Sequence, residues 1–234
     1  MIKKEFPELG EFYYEETLKN GLLIRVIPKP EFSRSYAFMA VDFGSIDTNF
    51  IWNGRDYQVP AGVAHYLEHK MFDMPDGNAM DAFARYGGSN NALKNYTMTA
   101  YYVECTEHFE ENLRILLKMV TTPYFTDESV EKERGIIAQE IRMYEDSADS
   151  AVFENLFSSL YRTHPARVPI AGTVESISHI TAETLQDVYS AFYRPGNMML
   201  TVMGNVDPAV VIREAACNTP DAGAWTPPVR NYGT

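Results

Sequence analysis

Hydrophobic and polar positions alternate in two early segments of the chain, and this pattern predicts β-strands. Residues 21–30 and 35–45 both alternate in this way and end at a Pro or a Gly. Only the short segment KPEFSR lies between them, so we expect the two strands to form an antiparallel pair. Residues 92–105 are rich in Tyr, Thr and Val and predict a further strand, and residues 198–208 return to a strand pattern.

Elsewhere, apolar side chains recur every three to four residues, which predicts helices. The predicted helical segments are residues 61–72, 79–88, 108–120, 126–146, 150–162, 181–197 and 209–218. Thr126 suits the N-cap of the fourth segment, with Ser129 behind it. Residues 46–60 show neither pattern, so no element is predicted there. Strands that come early and late, with helices between them, favour an α+β fold in which helices cover an antiparallel β-sheet.

The length of the chain is enough for one sizeable core. We predict a single domain over residues 1–216 of the 234 residues. The remaining residues, 217–234, are rich in Pro and Gly and predict a linker toward a further part of the protein.

Composition and charge narrow the class of protein. Hydrophobic residues make up 45% and charged residues 22%, which excludes disordered and collagen-like chains. A net charge of −12 offers no electrostatic footprint for nucleic acid or for an anionic membrane. We expect no signal peptide and no membrane span, because no apolar run is long enough. The two cysteines do not form a disulfide framework, so we expect a cytoplasmic location.

The segment GVAHYLEHKMF, residues 62–72, carries the main candidate chemistry. His65, Glu68 and His69 lie three and four residues apart, so on a helix they share one face. Two imidazoles one turn apart are able to bind one Zn²⁺, and a neighbouring glutamate is able to act as general base. The alternative is an ordinary polar face, because a five-residue pattern also arises by chance.

A catalytic zinc needs a third protein ligand, and the helix predicted over residues 126–146 offers one. Glu133 and Glu140 are two turns apart on one face, and isoleucines border Glu140. A carboxylate among apolar neighbours is costly unless it is paired or binds a metal. We therefore interpret Glu140 as a ligand and Glu133 as the acid that orients a ligand histidine. The alternative is a solvated acidic stripe, which we adopt for Glu128 and Glu131.

These residues resemble the HxxEH, or inverted-motif, zinc metallopeptidases: the pitrilysin and insulin-degrading enzyme family, which includes the mitochondrial processing peptidase. Four blocks in the same order carry the resemblance, and together with their flanks they extend over roughly residues 20–215. They are residues 62–72, 86–104, 130–146 and 171–207. The segments LEHKMF and GSIDTNF are most similar to bacterial cytoplasmic homologues of the processing-peptidase type.

The resemblance implies a metallohydrolase-type α/β roll and a zinc-dependent endopeptidase. Position by position, it implies that His65, His69 and Glu140 are zinc ligands and that Glu68 is the base. It implies that Glu133 is the acid that orients a ligand histidine. It also places Asn91 and Ala92 on an edge strand to which a peptide substrate adds as a further strand. A non-catalytic peptide-binding or assembly subunit of the same fold is the alternative.

The chain also departs from the family pattern. After Asn91 and Ala92 the family often has a Thr and an Arg-Glu pair, whereas this chain has Leu93 and Lys94. This difference leaves the substrate preference open. Family members usually combine two related halves, and this chain corresponds to the half with the metal motif. The resemblance therefore implies a second half as partner, on the same full-length chain or on another subunit.

Overall fold

The structure, a computed structural model, describes residues 1–221, 223 and 225–233. The strands are β1 Ile2–Phe6, β2 Glu11–Thr17, β3 Leu23–Pro28, β4 Ser35–Val41, β5 Asn49–Trp52, β6 Arg55–Gln58, β7 Asp73–Met74, β8 Gly77–Asn78, β9 Ser89–Lys94, β10 Thr99–Cys105, β11 Met198–Gly204 and β12 Val229–Arg230. The α-helices are α1 Val63–Lys70, α2 Ala79–Arg85, α3 Phe109–Thr121, α4 Asp127–Glu145, α5 Ala148–Leu160, α6 Val174–Ser178, α7 Ala182–Phe192 and α8 Pro208–Asn218.

Seven strands form the main sheet, in the order β1-β2-β3-β11-β4-β10-β9. All neighbours are antiparallel except β3 and β11, which run parallel. The predicted fold class, a helix-covered and mainly antiparallel sheet, is confirmed. The predicted pairing of the two early strands is wrong, because β11 lies between β3 and β4. Leu200 and Val202 on β11 are fully buried, and a buried strand needs partners for its backbone groups on both sides.

The segment predicted as one strand over residues 92–105 is a hairpin of β9 and β10. A turn at residues 95–98 separates the two strands, and Asn95 stabilises it. Its side-chain oxygen accepts hydrogen bonds from the backbone N–H groups of Thr97 and Met98, both at 2.8 Å. The turn pairs β9 with β10, and β9 is the last strand in the order of the sheet. Its other edge, called the free edge below, pairs with no strand of the described residues.

Helices pack on the face of the sheet that carries its fully buried side chains. Val26, Met39 and Tyr101 are among these. The predicted helices all form, and the predicted cap of α4 is confirmed by reciprocal hydrogen bonds between Thr126 and Ser129. Helix α1 lies between α4, α7 and β9, which brings its polar face to the free edge of the sheet.

Residues 46–60, for which the sequence predicts no element, contain the hairpin of β5 and β6. The tail adds β12 to this hairpin, where Val229 pairs with Ile51. Trp225 Nε1 also donates a hydrogen bond of 2.9 Å to the backbone of Ala191. The domain boundary at residues 216 and 217 stays a prediction, and Ala222, Ala224 and Thr234 of the predicted linker lie outside the described residues. Among the described residues, no helix has the length and hydropathy to cross a membrane.

Candidate metal centre

Helix α1 presents its two histidines to one point. His65 and His69 are one turn apart, and their Nε2 atoms are 2.9 Å from each other. The His65 side chain is fully buried, and Glu68 on the same helix is 6% exposed. The helix buries Ala64 and Leu67 against the core, so its opposite stripe faces α4 and β9. The two histidines and Glu68 therefore share one stripe of the helix, which is buried at His65 and Glu68 and partly exposed at His69.

Helix α4 brings Glu140 to the same point from the other side. Its Oε2 atom is 3.4 Å from the Nε2 atoms of both His65 and His69. One ligand-type atom from each of the three residues lies within 4.8 Å of the others. The structure thus places together the three residues that the sequence indicates as metal ligands, although their role as ligands stays a prediction.

The spacing of these atoms suits a zinc ion. Bonds of about 2.0–2.2 Å at a tetrahedral centre separate neighbouring ligand atoms by roughly 3.3–3.5 Å. The two histidine–glutamate separations of 3.4 Å agree with this spacing, and the histidine pair at 2.9 Å needs a small widening. Two imidazoles and one carboxylate are a usual donor set for catalytic zinc. The residues present therefore fit the metal.

The protonation states also suit a metal. Burial lowers the pKa of His65, which favours the neutral imidazole. Hydrogen bonding to His65, together with a bond of 2.8 Å from the Tyr144 hydroxyl, lowers the pKa of Glu140 to about 2. A neutral imidazole and an ionised carboxylate are the forms that bind a cation. Tyr144 bonds the Oε1 atom of Glu140 and so leaves Oε2 to the histidines.

Glu133 contacts the far side of the His69 ring. Its Oε1 atom is 2.9 Å from His69 Nδ1, and this hydrogen bond lowers the pKa of the Glu133 carboxyl. Because the ionised carboxylate is an acceptor only, Nδ1 is the nitrogen that donates to Glu133, and Nε2 is the nitrogen on the side of His65 and Glu140. This contact is the one that an orienting role requires, and the role itself stays a prediction for Glu133. Glu128 and Glu131 are exposed.

Sequence reasoning missed two residues of this site, Tyr144 and Lys94. Tyr144 lies one helical turn after Glu140, a spacing that places both side chains on one face of α4. Lys94 Nζ lies 3.2 Å from Glu68 Oε2 and 4.0 Å from Glu140 Oε1. The first of these is an ion pair without hydrogen-bond geometry, since Glu68 Oε2 has no hydrogen-bond partner among the described residues. In the sequence, Lys94 appears only as a departure from the family pattern.

Asn91 and Ala92 lie on β9, opposite Tyr102 and Tyr101 of β10. The backbone N–H of Asn95 donates to Met98 at the turn, which makes that pair hydrogen-bonded. Hydrogen-bonded and open pairs alternate in antiparallel strands, so the backbone N–H and C=O of Ala92 point to the free edge. The Ala92 N–H donates instead to the Asn91 side chain, at 2.8 Å. Both residues therefore lie where the sequence predicts a free edge.

Two family models match the chain. The model described as Insulinase (Peptidase family M16) matches residues 28–174, which include every candidate ligand. The model described as Peptidase M16 inactive domain matches residues 179–216.

Curated relatives and solved structures agree with this match. The "Uncharacterized zinc protease YmfH" of Bacillus subtilis is 44% identical over 221 residues, which are 93% of this chain and 52% of the relative. A crystal structure of a "putative M16-like peptidase" from Alicyclobacillus acidocaldarius is similar with a TM-score of 0.90 and 38% identity, over 94% of this chain and 53% of that one.

A more distant structure is that of a mutant of the ferredoxin protease FusC in complex with Arabidopsis ferredoxin. It is similar with a TM-score of 0.79 and 27% identity, over 94% of this chain and 25% of that one. The chain spans about half the length of the YmfH relative. The matched family model, the YmfH relative and the shared fold lead to one conclusion: this chain belongs to the insulinase, or M16, family of peptidases.

Proposed function

We propose that this chain is a zinc-dependent endopeptidase domain that hydrolyses peptides or unfolded segments. The observation that carries the proposal is the convergence of His65, His69 and Glu140 within 4.8 Å. The buried carboxylate of Glu68 lies on the same stripe of α1 as the two histidines. Family membership and the zinc-protease names of the relatives support the same function.

Each residue of the site has a distinct part in this proposal. His65, His69 and Glu140 would hold the zinc ion, and Glu133 would keep the His69 ring in the orientation that binds it. When bound, zinc supplies a Lewis acid that makes water a nucleophile near neutral pH and polarises the peptide carbonyl. Glu68 accepts the proton of the attacking water and passes it to the leaving amine.

The free edge of β9 supports a peptide as the substrate. An extended peptide adds to an open sheet edge through main-chain hydrogen bonds, and Ala92 directs its N–H and C=O to that edge. The C=O is an acceptor there, and the N–H donates to a peptide once it leaves the Asn91 side chain. Recognition of this kind selects for an unfolded strand and depends little on side chains. We therefore propose peptides and unfolded segments, bound beside Asn91 and Ala92, as the substrate class.

The proposal includes a partner for this domain. Because the chain covers about half of its curated relatives, we propose that a second family-type half completes the site. That half belongs either to the same full-length chain or to a partner subunit. A cytoplasmic location stays a prediction from the sequence.

A non-catalytic peptide-binding or assembly subunit is the alternative within the same fold. Such a subunit needs neither a base nor a complete set of ligands. This chain retains Glu68 and all three candidate ligands, which favours the enzyme.

The test is the substitution Glu68→Gln in the protein with its second half. We expect about one zinc ion per site to remain bound, because Glu68 is not a ligand. Peptide cleavage falls by a factor of about 10² to 10⁴, the usual contribution of a general base. Metal analysis and turnover of a quenched fluorescent peptide measure the two quantities.

Glu128→Gln is the matched control, because Glu128 is an exposed glutamate of α4 and its substitution leaves turnover unchanged. Retained turnover in Glu68→Gln contradicts the assignment of the base. A wild-type protein that binds zinc and peptide without cleaving the peptide supports the non-catalytic alternative.

A further inference from the structure

Lys94 is the residue of the site whose role neither the motif nor the proposed mechanism explains. It ends strand β9, and its side chain is 18% exposed. We propose that Lys94 is a positioning residue: it is the counter-ion that holds the Glu68 carboxylate in place for its role as base. This inference rests on the proposed function for its catalytic part, and on the contacts of Glu68 alone for its structural part.

Glu68 is a nearly buried carboxylate that pairs with Lys94. The Glu68 side chain is 8% exposed, and Lys94 Nζ lies 3.2 Å from its Oε2 atom. Within the part of the chain that the structure describes, Lys94 is the cationic side chain that forms an ion pair with Glu68. A buried carboxylate without a partner is costly, and removing one member of a buried pair leaves the other charge uncompensated.

The ion pair with Lys94 also sets the direction of the Glu68 carboxylate. Glu68 extends from α1 beside the two histidines, whereas Lys94 comes from the sheet. Lys94 Nζ is also 4.0 Å from Glu140 Oε1, so the ammonium lies between the base and the candidate ligand. Pairing with Lys94 therefore keeps Glu68 on the side of the site that faces α4 and the free edge.

The end of strand β9, which carries Lys94, is held in place by its neighbours. The turn after Lys94 is closed by Asn95, whose backbone oxygen also accepts a hydrogen bond of 3.0 Å from the N–H of Ser45. Gly44 packs so closely on this turn that a Cβ atom there would meet the backbone of Tyr96 at 2.4 Å. The ammonium is thus presented by a strand that is fixed at its end, as a positioning group requires.

The Lys94–Glu68 ion pair also connects the proposed base to the free edge of β9, where we propose that the peptide binds. Lys94 and Ala92 lie two residues apart, so their side chains share one face of β9 and their outward backbone groups share the free edge. A peptide that adds to this edge therefore lies beside the backbone of the residue that holds Glu68.

The catalytic test compares Lys94→Met with Lys94→Arg in the protein with its second half. Lys94→Met lowers kcat for a peptide about 10- to 100-fold, the usual effect of losing a partner that orients a reacting group. KM stays within about twofold, since the main-chain groups of the edge are unchanged. Lys94→Arg keeps the positive charge and restores at least half of the lost kcat on a logarithmic scale.

Lys118→Met is the matched control, because Lys118 is an exposed lysine whose ion pair with Asp76 lies elsewhere on the surface. It leaves kcat and KM unchanged. A rise in KM with unchanged kcat in Lys94→Met overturns the proposal, because it assigns Lys94 to substrate binding. Failure of Lys94→Arg to restore kcat also overturns it.

A second measurement is independent of catalysis. In the metal-free protein, Lys94→Met lowers the melting temperature by about 2–6 °C when Glu68 is present, because the carboxylate is left buried and unpaired. In the Glu68→Gln background the same substitution lowers it by less than about 2 °C. Equal losses in both backgrounds overturn the ion pair, even if the protein proves not to be a peptidase. If the loss of melting temperature is larger when Glu68 is present but the protein is inactive, the Lys94–Glu68 ion pair is supported and only the proposed function is contradicted.

Discussion

At the scale of single residues, the contact between Glu133 and His69 decides which nitrogen of the ring faces the candidate metal. Glu133 accepts a hydrogen bond from Nδ1 at 2.9 Å, so Nε2 is the nitrogen left for a metal, and it lies 3.4 Å from Glu140 Oε2. The spacing of residues along α4 predicts that Glu133 and Glu140 share a face of the helix, because they lie two turns apart. The distance across to α1 is not contained in the spacing and depends on how the two helices pack.

We predict that Glu133→Ala weakens zinc binding about 10- to 100-fold, because His69 loses the acceptor that orients its ring. Competition with a chelator of known affinity measures the change in Kd. Glu128→Ala, on the exposed part of α4, serves as control and leaves Kd unchanged. Zinc affinity that is unaltered in Glu133→Ala would show that the ring is held by other contacts.

At the scale of secondary-structure elements, the hairpin of β9 and β10 stands where the sequence predicts a single strand. The composition of residues 92–105 predicts strand throughout, and it does so correctly on both sides of the turn. Asn95 is a residue type that favours turns, but the Tyr- and Thr-rich residues on both sides outweighed this single signal. The structure shows the turn through the hydrogen bonds of Asn95 to Thr97 and Met98. The turn accounts for the pairing of β9 with β10, whereas the free edge of β9 comes from its place at the end of the strand order.

We predict that Ala92→Pro raises KM for a peptide roughly two- to tenfold, because proline removes the outward N–H of this residue. The pairing of β9 with β10 is retained, since the N–H of Ala92 is not part of that ladder. Steady-state kinetics and metal analysis measure KM and zinc content, and zinc content stays constant. Ala92→Gly, which keeps the N–H, is the matched control. An unchanged KM in Ala92→Pro would remove this edge from the substrate site.

At the scale of the whole molecule, the tail contacts the domain through a buried charge. Asp47 is 1% exposed and lies 3.1 Å from Arg230 Nε, and it also accepts a hydrogen bond of 2.9 Å from Tyr232. Its acidic side chain lies in residues 46–60, for which the hydrophobic pattern predicts no element. The pairing of Asp47 with residues of the distant tail has no local signal in the sequence.

We predict that Arg230→Met lowers the free energy of unfolding by about 2–4 kcal/mol near neutral pH, because Asp47 loses its cation while it stays buried. Burial raises the pKa of Asp47, so the folded state favours the protonated carboxyl more than the unfolded state does. The loss therefore becomes smaller as the pH falls toward that pKa and Asp47 becomes neutral. Denaturant unfolding of this chain at neutral and acidic pH measures both effects.

Arg34→Met is the control for this prediction, because its ion pair with Glu104 is exposed, and we expect a change below about 1 kcal/mol. An equally small loss in Arg230→Met would mean that the tail behaves as the linker that its Pro and Gly content predicts.

The sequence by itself determined the properties that depend on short-range order. Helical spacing places His65, Glu68 and His69 on one face, and capping residues mark the start of α4. The α+β class follows from the order of the elements, because amphipathic helices must cover an apolar sheet face. Only the tertiary structure decided the rest: the insertion of β11 between β3 and β4, the meeting of Glu140 with the histidines, and the approach of Lys94 to Glu68. These contacts join residues far apart in the chain, and the packing of the core sets their distances.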